Sequence, residues 1–284
     1  MCGVERNEKV GYCGETDCMR VAKIMLHHWE EPCISGGPDG SGSGAVFFSG
    51  CSLRCVYCQN KKISRSAVGN FYTPTRLAEE IMKLQEAGAY NINFVTPTHF
   101  TSRIKETLDL LDGKLKIPVV WNTSGYERQE TISSLKPYVD IFLTDMKYFS
   151  SEMSARYSGA ADCFDVSVAA LSEMVKITGA PRFEGDLLKS GVIIRHLVLP
   201  GGYKDSIKIL ETITDRIGTE NIVLSLMSQY TPEFLTDEDE GCNEIRRRVT
   251  TFEYNKVLTA ATDLGFTGFM QERSSATSLY TPDF

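Results

Sequence analysis

Six nearly continuous apolar runs of strand length, spaced by helix-period segments, constrain this 284-residue chain more than any other feature. The runs are 45–48, 91–95, 117–121, 140–143, 192–199 and 222–227. A strand with one solvated face alternates apolar and polar residues, so continuous runs predict parallel strands buried on both faces. Between them, Leu77, Ile81 and Leu84 fall at i, i+4, i+7. Thr73-Pro74 supplies an N-cap and first-turn pair there, and Gly88 a stop. Ile104, Leu108 and Leu111 repeat the pattern before Gly113, as do Ile207, Leu210, Ile213 and Ile217 before Gly218. Repeated strand–helix units imply right-handed crossovers and a parallel sheet. Periodicity alone leaves a partial barrel and an open doubly wound sheet both standing.

Residues 1–43 are expected to form an N-terminal extension carrying Cys2, Cys13, Cys18 and Cys33, ahead of one domain over 44–284. Within it, 149–190 is a longer connection with a helical stretch near 166–177. The 42% hydrophobic and 24% charged content is enough to build an ordinary core. A net charge of −7 argues against bulk electrostatic binding of nucleic acid or an anionic membrane. No apolar run approaches the ~20 residues that span a bilayer. The first 25 residues have no signal-peptide core, so the expected location is the cytoplasm. Thiols there stay reduced, and nine cysteines point to metal or redox chemistry before disulfides.

The chemistry is expected in Gly50-Cys51-Ser52-Leu53-Arg54-Cys55-Val56-Tyr57-Cys58-Gln59-Asn60, directly after the first run. Cys51, Cys55 and Cys58 are spaced C-x3-C-x2-C. Three thiolates on one loop can serve three irons of a cubane and leave the fourth without a protein ligand. An open metal position is where cofactor or substrate chemistry takes place. A structural zinc site would want four ligands in C-x2-C pairs, and no matching second pair lies nearby.

This loop, with Tyr57 just before its third cysteine, resembles that of the radical S-adenosylmethionine (SAM) superfamily. Within it the chain resembles proteins related to the pyruvate formate-lyase activating enzyme. The runs 26–36, 95–99, 195–201 and 271–275 are similar to an activating-enzyme-like subfamily of unassigned substrate. The resemblance covers nearly the whole chain. It implies an α/β fold, a (β/α)6 partial TIM barrel with its active site at the C-terminal ends of the strands. It also implies a 4Fe–4S cluster on Cys51, Cys55 and Cys58, with SAM on the open iron. Reductive cleavage would give a 5′-deoxyadenosyl radical that abstracts hydrogen from substrate, the protein supplying binding and exclusion of water and oxygen.

By the same resemblance, the cofactor-binding residues are Tyr57, Thr96, Thr98, Asn122, Ser124, Asp145, Lys147 and Arg195, nearly all at strand ends. Asp145 would bind the SAM ammonium and Lys147 its carboxylate. Two positions depart from the family pattern. Thr96-Pro97-Thr98-His99 replaces the usual Gly-Gly-Glu, and Met227-Ser228-Gln229-Tyr230 carries no histidine where activating enzymes have one. Arg195, inside an apolar run, needs a partner: a structural acid or an anionic group in the barrel.

The implied substrate is a protein or peptide, a glycyl radical enzyme in the activating-enzyme reading. The implied electron donor is a flavodoxin or ferredoxin. The same chemistry on a small molecule or a modified ribosomal peptide stands beside it. A non-catalytic iron–sulfur carrier or scaffold is the reading from another class. His27, His28, Glu30 and Glu31 are side chains that can ligate a metal, but adjacent histidines point in different directions, so the expectation is a packed, hydrogen-bonded segment near the cluster or barrel mouth. Cys2, Cys13, Cys18 and Cys33 are loosely spaced for an accessory metal site.

Overall fold

The six runs become parallel strands of one sheet in the computed structural model, which describes residues 4–270 apart from Glu8, Pro38, Glu238 and Glu240. The strands are β1 (Met19–His27), β2 (Ser43–Phe48), β3 (Asn70–Tyr72), β4 (Ile92–Val95), β5 (Val119–Thr123), β6 (Ile141–Asp145), β7 (Arg182–Glu184), β8 (Leu187–Leu197), β9 (Val223–Met227) and β10 (Gly268–Met270). The helices are α1 (Pro32–Ser35), α2 (Lys61–Arg65), α3 (Pro74–Glu86), α4 (Thr101–Asp109), α5 (Gln129–Ser133), α6 (Ser151–Ser158), α7 (Cys163–Thr178), α8 (Tyr203–Arg216) and α9 (Thr251–Asp263).

Strand order settles the choice that periodicity left open. The parallel strands β2, β4, β5, β6, β8 and β9 lie side by side in chain order, with no reversal. A doubly wound sheet needs a reversal to cover both faces with helices. Without one, right-handed crossovers place the helices on a single face and the sheet curls into a partial barrel. Among the described residues it stays unclosed, ending at β10 on one side and β3 on the other.

The pleat sorts each strand between two cores. Val46, Phe48, Phe94, Trp121, Phe142, Ile194 and Leu226 face the outer helices. Val120, Ile141, Leu143, Ile193 and Val223 face the barrel interior, where Cys33 and Ile34 of α1 pack against them. The helices follow their signals. Thr73 caps α3 by accepting from the Arg76 N–H, with Pro74 in the first turn. In α8 the buried stripe is Ser206, Ile209, Leu210 and Ile213; of the expected residues, Leu210 and Ile213 are buried, Ile217 packs against the core from the C-cap, and Ile207 is half-exposed.

The segment 1–43 supplies a sheet strand. β1 pairs antiparallel with β2, Leu26 facing Gly44 and His27 facing Ser43. This brings the end of β1 to the start of β2, at the end of the barrel away from the cysteine loop. From there residues 28–35 turn inward, and Glu30, Glu31 and α1 enter the barrel. The connection 149–190 holds α6, α7 and β7, and its expected helical stretch falls inside α7.

Candidate active site

The cysteine loop leaves β2 through Gly50, whose φ of +85° and 2.6 Å gap from a built Cβ to the Cys13 carbonyl allow only glycine. Cys51 N–H then donates to that Cys13 carbonyl at 3.1 Å. On its other side the loop leans on α6. Arg54 and Val56 N–H groups donate to the carbonyls of Ser158 and Tyr157 at 3.2 and 2.9 Å. Side chains continue the clamp: the Ser158 hydroxyl donates to Cys55 Sγ at 2.9 Å. Leu53 N–H donates to Cys51 Sγ at 3.4 Å, and Cys58 Sγ lies 3.5 Å from Ser64 Oγ. The three half-buried thiols line one cavity of about 280 Å³.

Strand register places the charged side chains in the same cavity. Asp145 on β6 sits beside Arg195 on β8, which sits beside Ser225 on β9. Asn122 on β5 pairs with Leu143, so it shares their inward face one row away. Asp145 accepts from Lys147 Nζ at 2.7 Å and from Arg195 Nε at 2.9 Å. Arg195 Nη2 donates to Asn122 Oδ1 at 2.7 Å, and Nη1 lies 3.7 Å from Glu30 Oε2. Glu30 also accepts from Asn93 at 3.0 Å and Asn122 at 3.4 Å. Burial raises the Asp145 pKa, but Arg195 and Lys147 outweigh it and hold the carboxyl below its ordinary range. Burial also opposes the charges on Lys147 and Arg195, and Asp145 overturns that for both. Burial raises the Glu30 and Glu31 carboxyls.

The donor set fits an iron–sulfur cluster. Among the described residues, no three metal-ligating side chains converge on one ion position. A cubane asks for something else, one thiolate on each of three irons. Desolvation pushes the Cys51 thiol up to about 12, with Cys55 adding to it, and desolvation raises Cys58 too. Such thiols need a nearby multivalent cation to lose their protons, which cluster iron supplies.

Of the expected site residues, Thr96, Asn122, Ser124, Asp145, Lys147 and Arg195 line the cavity with the cysteines. Thr96 does so in a left-handed conformation with φ 57°, its N–H held by the Asn122 carbonyl at 2.9 Å. Tyr57 lines an adjoining cavity and is hydrogen-bonded to Tyr148 at 2.5 Å. Thr98 is turned elsewhere, its hydroxyl donating to the buried Glu127 that Thr123 also meets. His99 Nε2 lies 2.6 Å from the Ser49 carbonyl and so braces the approach to the cysteine loop.

Sequence reasoning missed Asn93 and Ser225 altogether, and took Glu30 and Glu31 for packing residues. A single asparagine or serine inside an otherwise apolar run was the available signal. The remaining cysteines are scattered. Cys33 is buried in the barrel core, Cys18 is exposed, and Cys13 is buried with its sulfur toward the Glu15 carbonyl. Cys2 and the run 271–275 lie outside the described residues. His27 is edge-on to Phe47, and His28 Nδ1 lies 3.1 Å from the Gly40 carbonyl.

The fold has known counterparts. It superposes on Streptococcus suis SuiB bound to its precursor peptide SuiA with a TM-score of 0.54 at 14% identity, over 80% of this chain and 48% of that one. It superposes on HydG, a maturase of the [FeFe]-hydrogenase, with a TM-score of 0.52 at 14% identity, over 80% of this chain and 50% of that one. The chain thus spans about half the length of these solved structures. An uncharacterized protein of Methanocaldococcus jannaschii is 32% identical over 270 residues, 92% of this chain and 72% of that protein. The Radical SAM superfamily model matches residues 45–226, which run from Ala45 of β2 through the cysteine loop to Leu226 of β9. The chain belongs to the radical SAM superfamily, whose members use a 4Fe–4S cluster and S-adenosylmethionine.

Proposed function

We propose that this chain holds a 4Fe–4S cluster on Cys51, Cys55 and Cys58 and cleaves SAM reductively to initiate hydrogen abstraction from a protein or peptide. The observation that carries this is the meeting of those thiols with Asp145, Lys147, Arg195 and Asn122 in one cavity. A cluster held on these thiols would supply the one-electron reduction that SAM cleavage needs; the rest falls to the side chains. Asp145, held ionised, is the acceptor for the SAM ammonium, and Lys147 is the donor for its carboxylate. Arg195 holds Asp145 and Asn122 in place, and the barrel wall excludes water. In the reading closest to activating enzymes, the hydrogen donor is a glycyl radical enzyme. The electron donor is a flavodoxin or ferredoxin, and the work is done in the cytoplasm. Among the described residues no helix is long and apolar enough to cross a membrane.

A second reading, the same chemistry on a small molecule or modified ribosomal peptide, draws support from the polar groups inside the barrel. Glu30, Glu31 and Asn122 line the cavity, and Asn93 hydrogen-bonds Glu30, so a ligand entering the barrel meets polar partners.

Electron paramagnetic resonance tests the cluster. Anaerobic reconstitution should load about four irons per chain, and SAM should alter the signal of the reduced cluster. With Cys51, Cys55 and Cys58 replaced by Ala, both should disappear. A reducible cluster that ignores SAM would favour the carrier or scaffold.

A further inference from the structure

Glu31 carries a buried carboxylate oxygen that no described residue matches. Its side chain is 9% exposed, lines the cavity, and enters the barrel from the turn before α1. One oxygen is hydrogen-bonded to Ser225. The other, Oε2, meets no hydrogen-bond partner among the described residues. Native proteins rarely tolerate such an atom, because it has given up water without replacement. Glu30, next in the chain, shows the contrast, with Asn93, Asn122 and Arg195 all against its carboxylate.

Arg195 hydrogen-bonds Asp145 and Asn122, and its charge also acts on Glu30 and Glu31, while Lys147 hydrogen-bonds Asp145. Among the described residues, Glu30, Glu31 and Asp145 share these two Lys and Arg side chains in the cavity. A ligand that matches Glu31 brings an N–H donor, and one that also matches the charge brings a cation. Burial raises the pKa of the Glu31 carboxyl, and a cation set against it reverses that shift.

We propose that Glu31 is a substrate-binding residue that receives an alkylammonium or guanidinium group inside the barrel. The word substrate here rests on the radical SAM reading; the cation site does not. Two sources present this chemistry: a basic side chain of a peptide, or a free amine or guanidine of metabolite size. Either sets its cation against Glu31 beside Ser225, in the cavity that Asp145, Arg195 and the cysteines also line.

Ligand-observed saturation-transfer NMR tests this on the cluster-loaded, unreduced protein, where no turnover interferes. The probes are n-butylguanidinium, n-butylammonium and neutral n-pentanamide, each with and without SAM. Both cations should bind at least tenfold more tightly than the amide, and Glu31→Gln should lose at least tenfold of that affinity. Glu31→Asp, which keeps the charge on a shorter stem, should keep the preference for cations. SAM should not displace the probe. Equal binding of cation and amide, a needless Glu31, or displacement by SAM would each overturn the proposal; in the last case the carboxylate serves the cofactor's ammonium. The comparison of probes on the wild-type protein needs no variant to fold. A blocked Gly-Lys-Gly peptide binding more tightly than the free amine assigns the source to a peptide, and the reverse assigns it to a small molecule. Since no turnover is measured, loss of cation binding leaves the SAM chemistry standing, and absence of SAM cleavage leaves the cation site standing.

Discussion

The Ser158 hydroxyl donates to the Cys55 sulfur across 2.9 Å and ties α6 to the cysteine loop. Ser158 Oγ also lies 2.7 Å from the Tyr148 hydroxyl, which lies 2.5 Å from that of Tyr57. Hydrogen-bonded hydroxyls thus run from Tyr57 through Tyr148 and Ser158 to Cys55, and each bond strengthens the next. The 149–190 connection thus positions a proposed cluster ligand.

Replacing Ser158 with Ala removes a hydrogen-bond partner from both the buried Tyr148 hydroxyl and the Cys55 sulfur. The variant should lose about 1–3 kcal/mol of stability, read as a lower urea midpoint under reducing, anaerobic conditions. Unchanged stability would mean that the chain of hydroxyls holds nothing together.

Arg195 is the hub of the barrel charges, and removing it strands Asp145 and Glu30 in the interior. Arg195→Met should cost about 3–5 kcal/mol, as expected when one partner of a buried pair is deleted. Arg195→Lys should recover only part of this, since an ammonium cannot span Asp145, Asn122 and Glu30 as a guanidinium does. Chemical denaturation of both variants checks the order; a fully stable Arg195→Met would remove the arginine from its central place.

Glu127 gives a pH signature. Burial raises its carboxyl from 4.5 to about 7, against the hydroxyls of Thr123 and Thr98. Between those values the unfolded chain has released its proton and the folded chain has kept it, so stability falls as pH rises from 4.5 to 7. Glu127→Gln removes this slope. The difference from wild type should be flat below pH 4.5 and grow to at most about 3 kcal/mol in favour of the variant above pH 7. Melting curves at pH 4, 6 and 8 decide it; a difference that does not change with pH would show the carboxyl unperturbed.

Thr96 spends stability on the cavity wall. A β-branched residue at φ 57° is strained, and glycine is not. Thr96→Gly should raise stability by about 1 kcal/mol, the strain relieved less the extra freedom of the unfolded glycine. A lower melting temperature would show that the side chain's contacts outweigh the strain.

The parts of the barrel that could be read from the sequence are those buried on both faces. The core of β4, Ile-Asn-Phe-Val, has no solvent side, so its run is almost wholly apolar. β1 was not legible: Met19–His27 mixes Arg, Lys and His with apolar residues, and most of it is half-exposed. β3, β7 and β10 are three residues each, too short to show a period. The cysteine loop could be read because its three cysteines are local in sequence. Asp145, Lys147 and Arg195 were placed by resemblance at strand ends. The inward course of Glu30 and Glu31 depends on the antiparallel pairing of β1 with β2, a contact that no local pattern encodes. The pairing of Thr98 with Glu127, twenty-nine positions on, was likewise not legible in the sequence.

The most direct test of the central claim is 5′-deoxyadenosine itself. The protein is reconstituted anaerobically, reduced in the presence of SAM, and the products are read by mass spectrometry beside a protein with Cys51, Cys55 and Cys58 replaced by Ala. Cluster-dependent 5′-deoxyadenosine from the wild type and none from the variant is the expected result. Intact SAM over a reduced cluster, with the candidate cationic substrates also present, would contradict it.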